Sequence, residues 1–233
     1  MIYVTSDLHG YPLEKFQILL KKGNFSDNDY CFVLGDIIDR GDEGIKTLRW
    51  LLQQPNFQIV MGNHEAMLLS CDFLFDEITN FSIENLSKEK MDIFSLWVDN
   101  GAKPTLDELT KLNYKTVRYI IDAIREFPLY ETVSVSGMDF LLTHSGLGNF
   151  KKDKKINSYT FEELVWNRPN INDFYYDDVI TIFGHTPTHF LDKASSKKAL
   201  ITDTWIDIDT GAACGFAPML LRLDDMKEFY IDE

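Results

Sequence analysis

Four fragments of the 233-residue chain hold most of its chemistry: Asp7-Leu8-His9-Gly10, Gly35-Asp36-Ile37-Ile38-Asp39-Arg40-Gly41, Gly62-Asn63-His64-Glu65 and Gly184-His185-Thr186. Each follows a short apolar run, and a fifth run, Phe140-Leu141-Leu142-Thr143, delivers His144 in the same way. Asp7, His9, Asp36, Asn63, His64, His144 and His185 together offer carboxylate, amide and imidazole donors and no thiolate. That is the donor set of a site for two divalent metal ions. A lone histidine after a strand is more often a hydrogen-bonded structural residue than a ligand. Here four of the five histidines stand at such ends, beside Asp36 and Asn63. Separate structural explanations would each have to put their residue in the same kind of place.

Such a site needs elements that converge. Ile2-Tyr3-Val4, Cys31-Phe32-Val33-Leu34, Ile59-Val60-Met61 and Val179-Ile180-Thr181-Ile182-Phe183 are short and β-branched or aromatic, which reads as buried strands, parallel where helices intervene. Ligands of open α/β sheets bind beyond the carboxyl ends of the strands, so these strands would aim their polar residues into one crevice. Leu13, Phe16, Leu19 and Leu20 recur at helical spacing and predict a helix over Leu13–Lys22, stopped by Gly23. A second is predicted over Glu43–Gln53, ending before Pro55.

From about 66 to 126 the pattern is helical throughout. It reads as a helical insertion beside the crevice, broken at Asn100-Gly101, with Thr105 as a helix cap and no candidate ligand. Strands dominate after Pro128: Tyr130–Val135, Met138–Thr143, Val179–Phe183, Thr204–Ile208, Met219–Leu223 and Glu228–Ile231, with a hairpin turn at Gly137 and a turn at Asp209-Thr210-Gly211. So many strands rarely stay in one open sheet. The expectation is one α/β domain over 1–233, a four-layer α/β/β/α sandwich of two mixed sheets flanked by helices.

Composition fits a soluble enzyme, with 45% hydrophobic residues and no apolar run of membrane-spanning length. No basic segment precedes an apolar stretch at the N-terminus, and the three cysteines are few and widely spaced. Both point to a reducing cytoplasm. Cys31 reads as a core residue, and Cys214 as a packing residue of its loop. A net charge of −14 argues against binding a nucleic-acid duplex. The run Lys151-Lys152-Asp153-Lys154-Lys155 reads as a solvated loop.

In their order, Asp7-Leu8-His9, Gly35 to Gly41, Gly62 to Glu65, His144 and His185 resemble the motifs of the metallophosphoesterase superfamily. Asp39-Arg40-Gly41 and Gly62-Asn63-His64-Glu65 resemble its phosphoprotein phosphatase branch, in particular the small bacterial and phage serine/threonine phosphatases. Trp97 to Leu106, Trp166-Asn167-Arg168 and Asp209-Thr210-Gly211 agree with it. The resemblance implies a calcineurin-like fold holding two divalent ions, manganese foremost and iron or zinc as alternatives. Asp7 and His9 would hold one ion, Asp36 would bridge, and Asn63, His144 and His185 would complete the second. Hydroxide generated on the pair would attack phosphorus in line. The resemblance also implies that Arg40 and Arg168 grip the phosphoryl oxygens, that His64 protonates the leaving oxygen, and that Asp39 orients His64. Broader relatives carry a second histidine two places after the first. Pro187 stands there in this chain, as in the protein phosphatases, and His189 reads as structural.

The substrate expected from this resemblance is a phosphorylated protein or peptide, or a small phosphoester, with no membrane partner. One alternative is a symmetrical dinucleoside tetraphosphate hydrolase, which typically has Gly-His-Trp-Ala where this chain has Gly184-His185-Thr186-Pro187. Another is a catalytically inactive binding scaffold. A base-binding site would need aromatic rings near the crevice. The aromatics mostly sit at core spacing, with Tyr175-Tyr176 the exception to check.

Overall fold

The protein, described here from a computed structural model over residues 1–75 and 87–231, is a sandwich of two five-stranded mixed sheets. The first sheet contains β1 (Ile2–Thr5), β2 (Tyr30–Val33), β3 (Phe57–Ile59), β9 (Leu220–Arg222) and β10 (Lys227–Phe229), ordered β10-β9-β1-β2-β3. The second contains β4 (Tyr130–Val135), β5 (Met138–Thr143), β6 (Ile180–Phe183), β7 (Leu200–Ile201) and β8 (Trp205–Asp207), ordered β4-β5-β6-β8-β7. β1, β2 and β3 run parallel, as do β5, β6 and β8. Their carboxyl ends therefore deliver the motifs as the sequence pattern implied.

Strand alternation sets the layers. Val4, Phe32 and Leu34 meet Phe140, Leu142, Ile182 and Ile206 in a dry seam between the sheets. Tyr3, Cys31 and Val33 face the opposite way, onto α1 (Leu13–Lys22), α2 (Gly44–Leu51), α3 (Asn63–Ser70) and α6 (Tyr114–Arg125). Each side chain fully buried there stabilises by roughly 1.5–3 kcal/mol. In α6, Val117, Ile120, Ile121 and Ile124 form one buried stripe, and Asn113 caps the helix by accepting from the Thr116 amide at 3.0 Å. Trp97 of α4 (Lys88–Asp99) and Leu109 of α5 (Lys103–Leu109) join the same core. Residues 76–86 of the expected helical insertion lie outside the described residues.

The outer layer on the second sheet is thinner. Leu164 and Val165 of α7 (Phe161–Val165), with Tyr159 and Tyr175, cover Leu141, Phe183 and Trp205. The hairpin expected at Gly137 is present. Ser136 and Gly137 both take positive φ, 53° and 82°, so that Val135 pairs with Met138.

Several expectations need correction. Thr105 lies inside α5 and does not cap it, because its hydroxyl is drawn to Asp39. β3 covers Phe57–Ile59 and not Ile59–Met61, since the Met61 amide turns to the Pro128 carbonyl. β10 begins at Lys227 and ends at Phe229, with the Tyr230 hydroxyl accepting from the Ala199 amide. Asp209-Thr210-Gly211 is no tight turn between paired strands, because β8 and β9 belong to different sheets and the segment crosses between them. The short elements β7, α7 and α8 (Thr188–Leu191) had no clear sequence signal.

Candidate active site

The loops after β1 and β2 are zipped together before any side chain is considered. The amides of Asp7, His9 and Gly10 donate to the carbonyls of Gly35, Asp36 and Ile37, and Gly41 returns a bond to His9. Asp7, His9, Asp36, Asp39 and Arg40 in these loops, and His185 in the loop after β6, all take positive φ. These six are among eleven non-glycine residues in that region of backbone space among the described residues. Such conformations are strained for side chains with a Cβ and persist where the surroundings over-determine them. Two glycines permit the close approach. A Cβ on Gly184 would meet Asp7 Oδ2 at 2.0 Å, and one on Gly62 would meet Asp36 Oδ1 at 2.4 Å.

Every residue of the expected donor set is brought together. Asp7, His9, Asp36, Asn63, His64, His144 and His185 are all buried, His185 being the most exposed at 8%. His144 Nδ1 donates to the Leu34 carbonyl at 2.6 Å, which turns the other ring nitrogen toward the acids. That nitrogen, Nε2, faces Asn63 Oδ1 at 2.9 Å and Asp36 Oδ1 at 3.4 Å. His9 Nδ1 likewise turns to the Ile38 carbonyl at 3.2 Å, aiming Nε2 at Asp36 Oδ2 (3.5 Å) and Asp7 Oδ1 (3.9 Å). Asp7 Oδ1 and His185 Nε2 have no hydrogen-bond partner. Buried, converging atoms of this kind with no hydrogen-bond partner are what a cation satisfies. Asp36 sits in both triplets of mutually close donors, His9–Asp36–His64 and Asp36–His144–His185, which fits a bridging position.

Electrostatics agree. Burial pushes Asp36 well above the usual carboxylate range, and the charges of Asp7 and Glu65 push it the same way. Burial also raises Asp7, drives His9 well down and lowers His185 to about 2. Among the described residues this cluster of acids and imidazoles has no fully buried Lys or Arg, and divalent cations would supply positive charge beyond that of the Arg40 guanidinium.

The catalytic set implied by the resemblance stands next to this cluster. His64 Nδ1 meets Asp39 Oδ2 at 2.6 Å. Asp39 also accepts from Trp97 Nε1 at 2.8 Å and Thr105 Oγ1 at 2.6 Å. Burial raises its carboxyl to about 6 even so, with the Thr105 and Trp97 hydrogen bonds working against the rise. Arg40 is no surface salt bridge. Its guanidinium reaches His64 Nε2 at 3.1 Å and His9 Nε2 at 3.4 Å. Arg168 lines the same cleft of about 350 Å³ as Arg40, Asp36, His64 and His185.

Sequence reasoning missed four contributors. Glu65, fully buried, accepts from the amides of Asp36, Ile37 and Ile38 at 2.8, 2.8 and 3.4 Å and so shapes the loop that carries Asp36. Its place in the third motif was the available signal. Trp97 and Thr105 fix Asp39 from α4 and α5, a long-range effect no local pattern reveals. Asp209, buried beyond β8, is raised by burial and by the Asp7 charge. Replacing Glu65 by Ala is expected to cost on the order of 3 kcal/mol in urea unfolding, since three buried amides lose a charged acceptor. A cost under 1 kcal/mol would remove Glu65 from this role.

Other expectations resolve differently. Cys214 is exposed and lines the cleft, so it does not pack into its loop. Tyr175 is buried against Phe150 and Phe183, and Tyr176 donates to the Lys154 carbonyl, so neither reaches the cleft. The aromatics that do are Trp166, its ring 6.3 Å from that of His185, and the exposed Phe190. The lysine run is a largely exposed loop away from this cleft. Lys152 pairs with Asp177 and Lys154 with Glu163, beside a separate hollow of about 410 Å³. His189 is half-buried, its ring against Phe190 and Phe216.

Comparison with known proteins places this geometry in context. The model for the calcineurin-like phosphoesterase family matches residues 1–206. Serine/threonine-protein phosphatase 2 of Salmonella typhimurium is 28% identical over 91% of this chain and 88% of its own length. A symmetrical bis(5'-nucleosyl)-tetraphosphatase of Buchnera aphidicola is 40% identical, but over only 29% of this chain and 25% of its own length. The solved structure of a protein serine/threonine phosphatase from Saccharomyces cerevisiae superposes with a TM-score of 0.59 at 15% identity, covering 100% of this chain and 80% of that one.

Proposed function

This chain belongs to the calcineurin-like phosphoesterase family, and from that premise we propose that it is a metal-dependent phosphomonoesterase acting on phosphoserine and phosphothreonine in proteins. The observation that carries the reading is the cleft of about 350 Å³, whose lining joins Asp36, Asn63 and His185 to His64, Arg40 and Arg168. That volume is at the small end for ligand pockets. It suits a phosphorylated side chain better than a dinucleoside tetraphosphate. We read the whole chain as one domain, with the helices of about 66–126 as an insertion beside the cleft, working in the cytoplasm.

Asp7, His9 and Asp36 would hold one divalent ion, and Asp36, Asn63, His144 and His185 the other. Manganese is the proposed metal, with iron or zinc compatible with the same donors. Two bound ions supply a water of lowered pKa and positive charge for the phosphoryl oxygens. Arg40 and Arg168 receive the remaining oxygens with planar forks. Arg40 donates to His64 Nε2 at 3.1 Å, so the resting ring is neutral, with its hydrogen on Nδ1 toward Asp39. A phosphoryl dianion is a better acceptor for Arg40, and its charge favours the imidazolium. His64 Nε2 then gives a proton to the leaving oxygen, and Asp39 balances the charge on the ring.

A second reading has an observation behind it. The local 40% identity to a symmetrical tetraphosphatase supports diadenosine tetraphosphate as substrate. Against an inactive scaffold stands the retention of all six proposed ligands with His64. On one manganese-loaded preparation, kcat/KM for phosphoserine and phosphothreonine peptides is expected to exceed that for diadenosine tetraphosphate. A clear preference for the dinucleotide would overturn the protein-phosphatase assignment and spare the two-metal site.

A further inference from the structure

Besides its polar groups, the cleft is lined by Trp166, Pro187, Phe190, Ala213 and Cys214. Phe190 is 67% exposed, more than the other exposed large apolar side chains among the described residues. It is also well held. Its amide donates to the Pro187 carbonyl at 2.8 Å, and its ring lies 4.2 Å from that of His189, which in turn meets Phe216. Pro187 and Phe190 stand two and five residues after His185, with Phe190 in the short helix α8 that Pro187 precedes. An exposed, fixed ring at the mouth of a charged cleft gains by being covered. The molecule that enters this cleft is the substrate.

We infer that Phe190 is a specificity-determining residue that receives a planar ring on the esterified side of the substrate, raising kcat/KM for aryl phosphates, phosphotyrosine among them, beside the phosphoserine and phosphothreonine of the proposed function. The inference rests on the phosphomonoesterase reading and extends it. With phosphorus held between Arg40 and Arg168, the ring of an aryl ester begins one bond beyond the bridging oxygen. The methylene of phosphoserine is too small to cover Phe190. A nucleobase is separated from phosphorus by its ribose. Aromatic pairs contribute roughly 0.5–1.5 kcal/mol beyond burial, and the middle of that range corresponds to about three- to tenfold in kcat/KM.

The test compares wild type with Phe190→Ala, Phe190→Leu and Phe190→Tyr on phosphotyrosine and phosphoserine peptides of one sequence, with adenosine 5′-monophosphate as the nucleobase arm. Phe190 is exposed, so truncation leaves the core intact. In Phe190→Ala the phosphotyrosine-to-phosphoserine ratio of kcat/KM is expected to fall about three- to tenfold, chiefly through KM. Phe190→Leu should lose most of that preference and Phe190→Tyr should keep it. An unchanged ratio in Phe190→Ala overturns the inference alone. A selective loss with adenosine 5′-monophosphate instead overturns the aryl assignment. Failure of wild type to hydrolyse any phosphomonoester overturns the reading beneath it as well.

Discussion

Asp36→Asn is expected to lower kcat by at least about 10³-fold and to reduce bound metal from two ions per chain. The reason is geometric. Asp36 is the residue common to both donor triplets, and its Oδ1 and Oδ2 face His144 and His9 at 3.4 and 3.5 Å. The amide that replaces it keeps the shape but loses the charge shared by two cations. Asn63→Ala removes a donor from one side only and should cost less, about 10–100-fold. Full activity after chelation and desalting would end the dinuclear reading, as would wild-type turnover of Asp36→Asn. Metal analysis of the same samples separates lost binding from lost chemistry.

His64→Asn is expected to lower kcat by about 10²–10⁴-fold with metal content preserved. His64 is fully buried, and the 2.6 Å contact with Asp39 fixes its ring. The loss should shrink for nitrophenyl phosphate, whose leaving group needs little protonation. An equal loss across leaving groups of different pKa would contradict the acid role. Asp39 is itself held by Trp97 and Thr105. The α4–α5 region would therefore bear on the proposed acid through packing, and Asn100 between the two helices lines the cleft, its carbonyl accepting from Arg40.

The candidate site was legible because its residues announce themselves locally. Each motif combines a strand, a turn and one or two donors within a few residues, so Asp7, His9, Asp36, Asn63, His64, His144 and His185 could be named without any contact information, while the division into ligands and acid came from the family resemblance. The two packed sheets followed from the number of strands, too many for one open sheet. What stayed hidden depends on distant partners. Thr105 reads as a cap by pattern and becomes an Asp39 ligand only when α5 docks. Phe190 and Cys214 sit at no informative spacing, and their loops reach the cleft through the path taken after β6 and β8. The ends of β3 and β10 shifted because single amides or hydroxyls found partners elsewhere, which periodicity does not encode.

The strand order has a consequence for synthesis on the ribosome. β1 emerges first and pairs early with β2, its neighbour to one side. Its other edge is covered by β9, which lies more than two hundred residues further along the chain. Throughout elongation the first strand therefore carries an open, sticky flank, the kind of edge that recruits chaperones or other nascent chains. The acidic pocket beyond its carboxyl end shares that delay. Its last proposed ligand, His185, is translated well after Asp7, so the full donor set is assembled only late in synthesis.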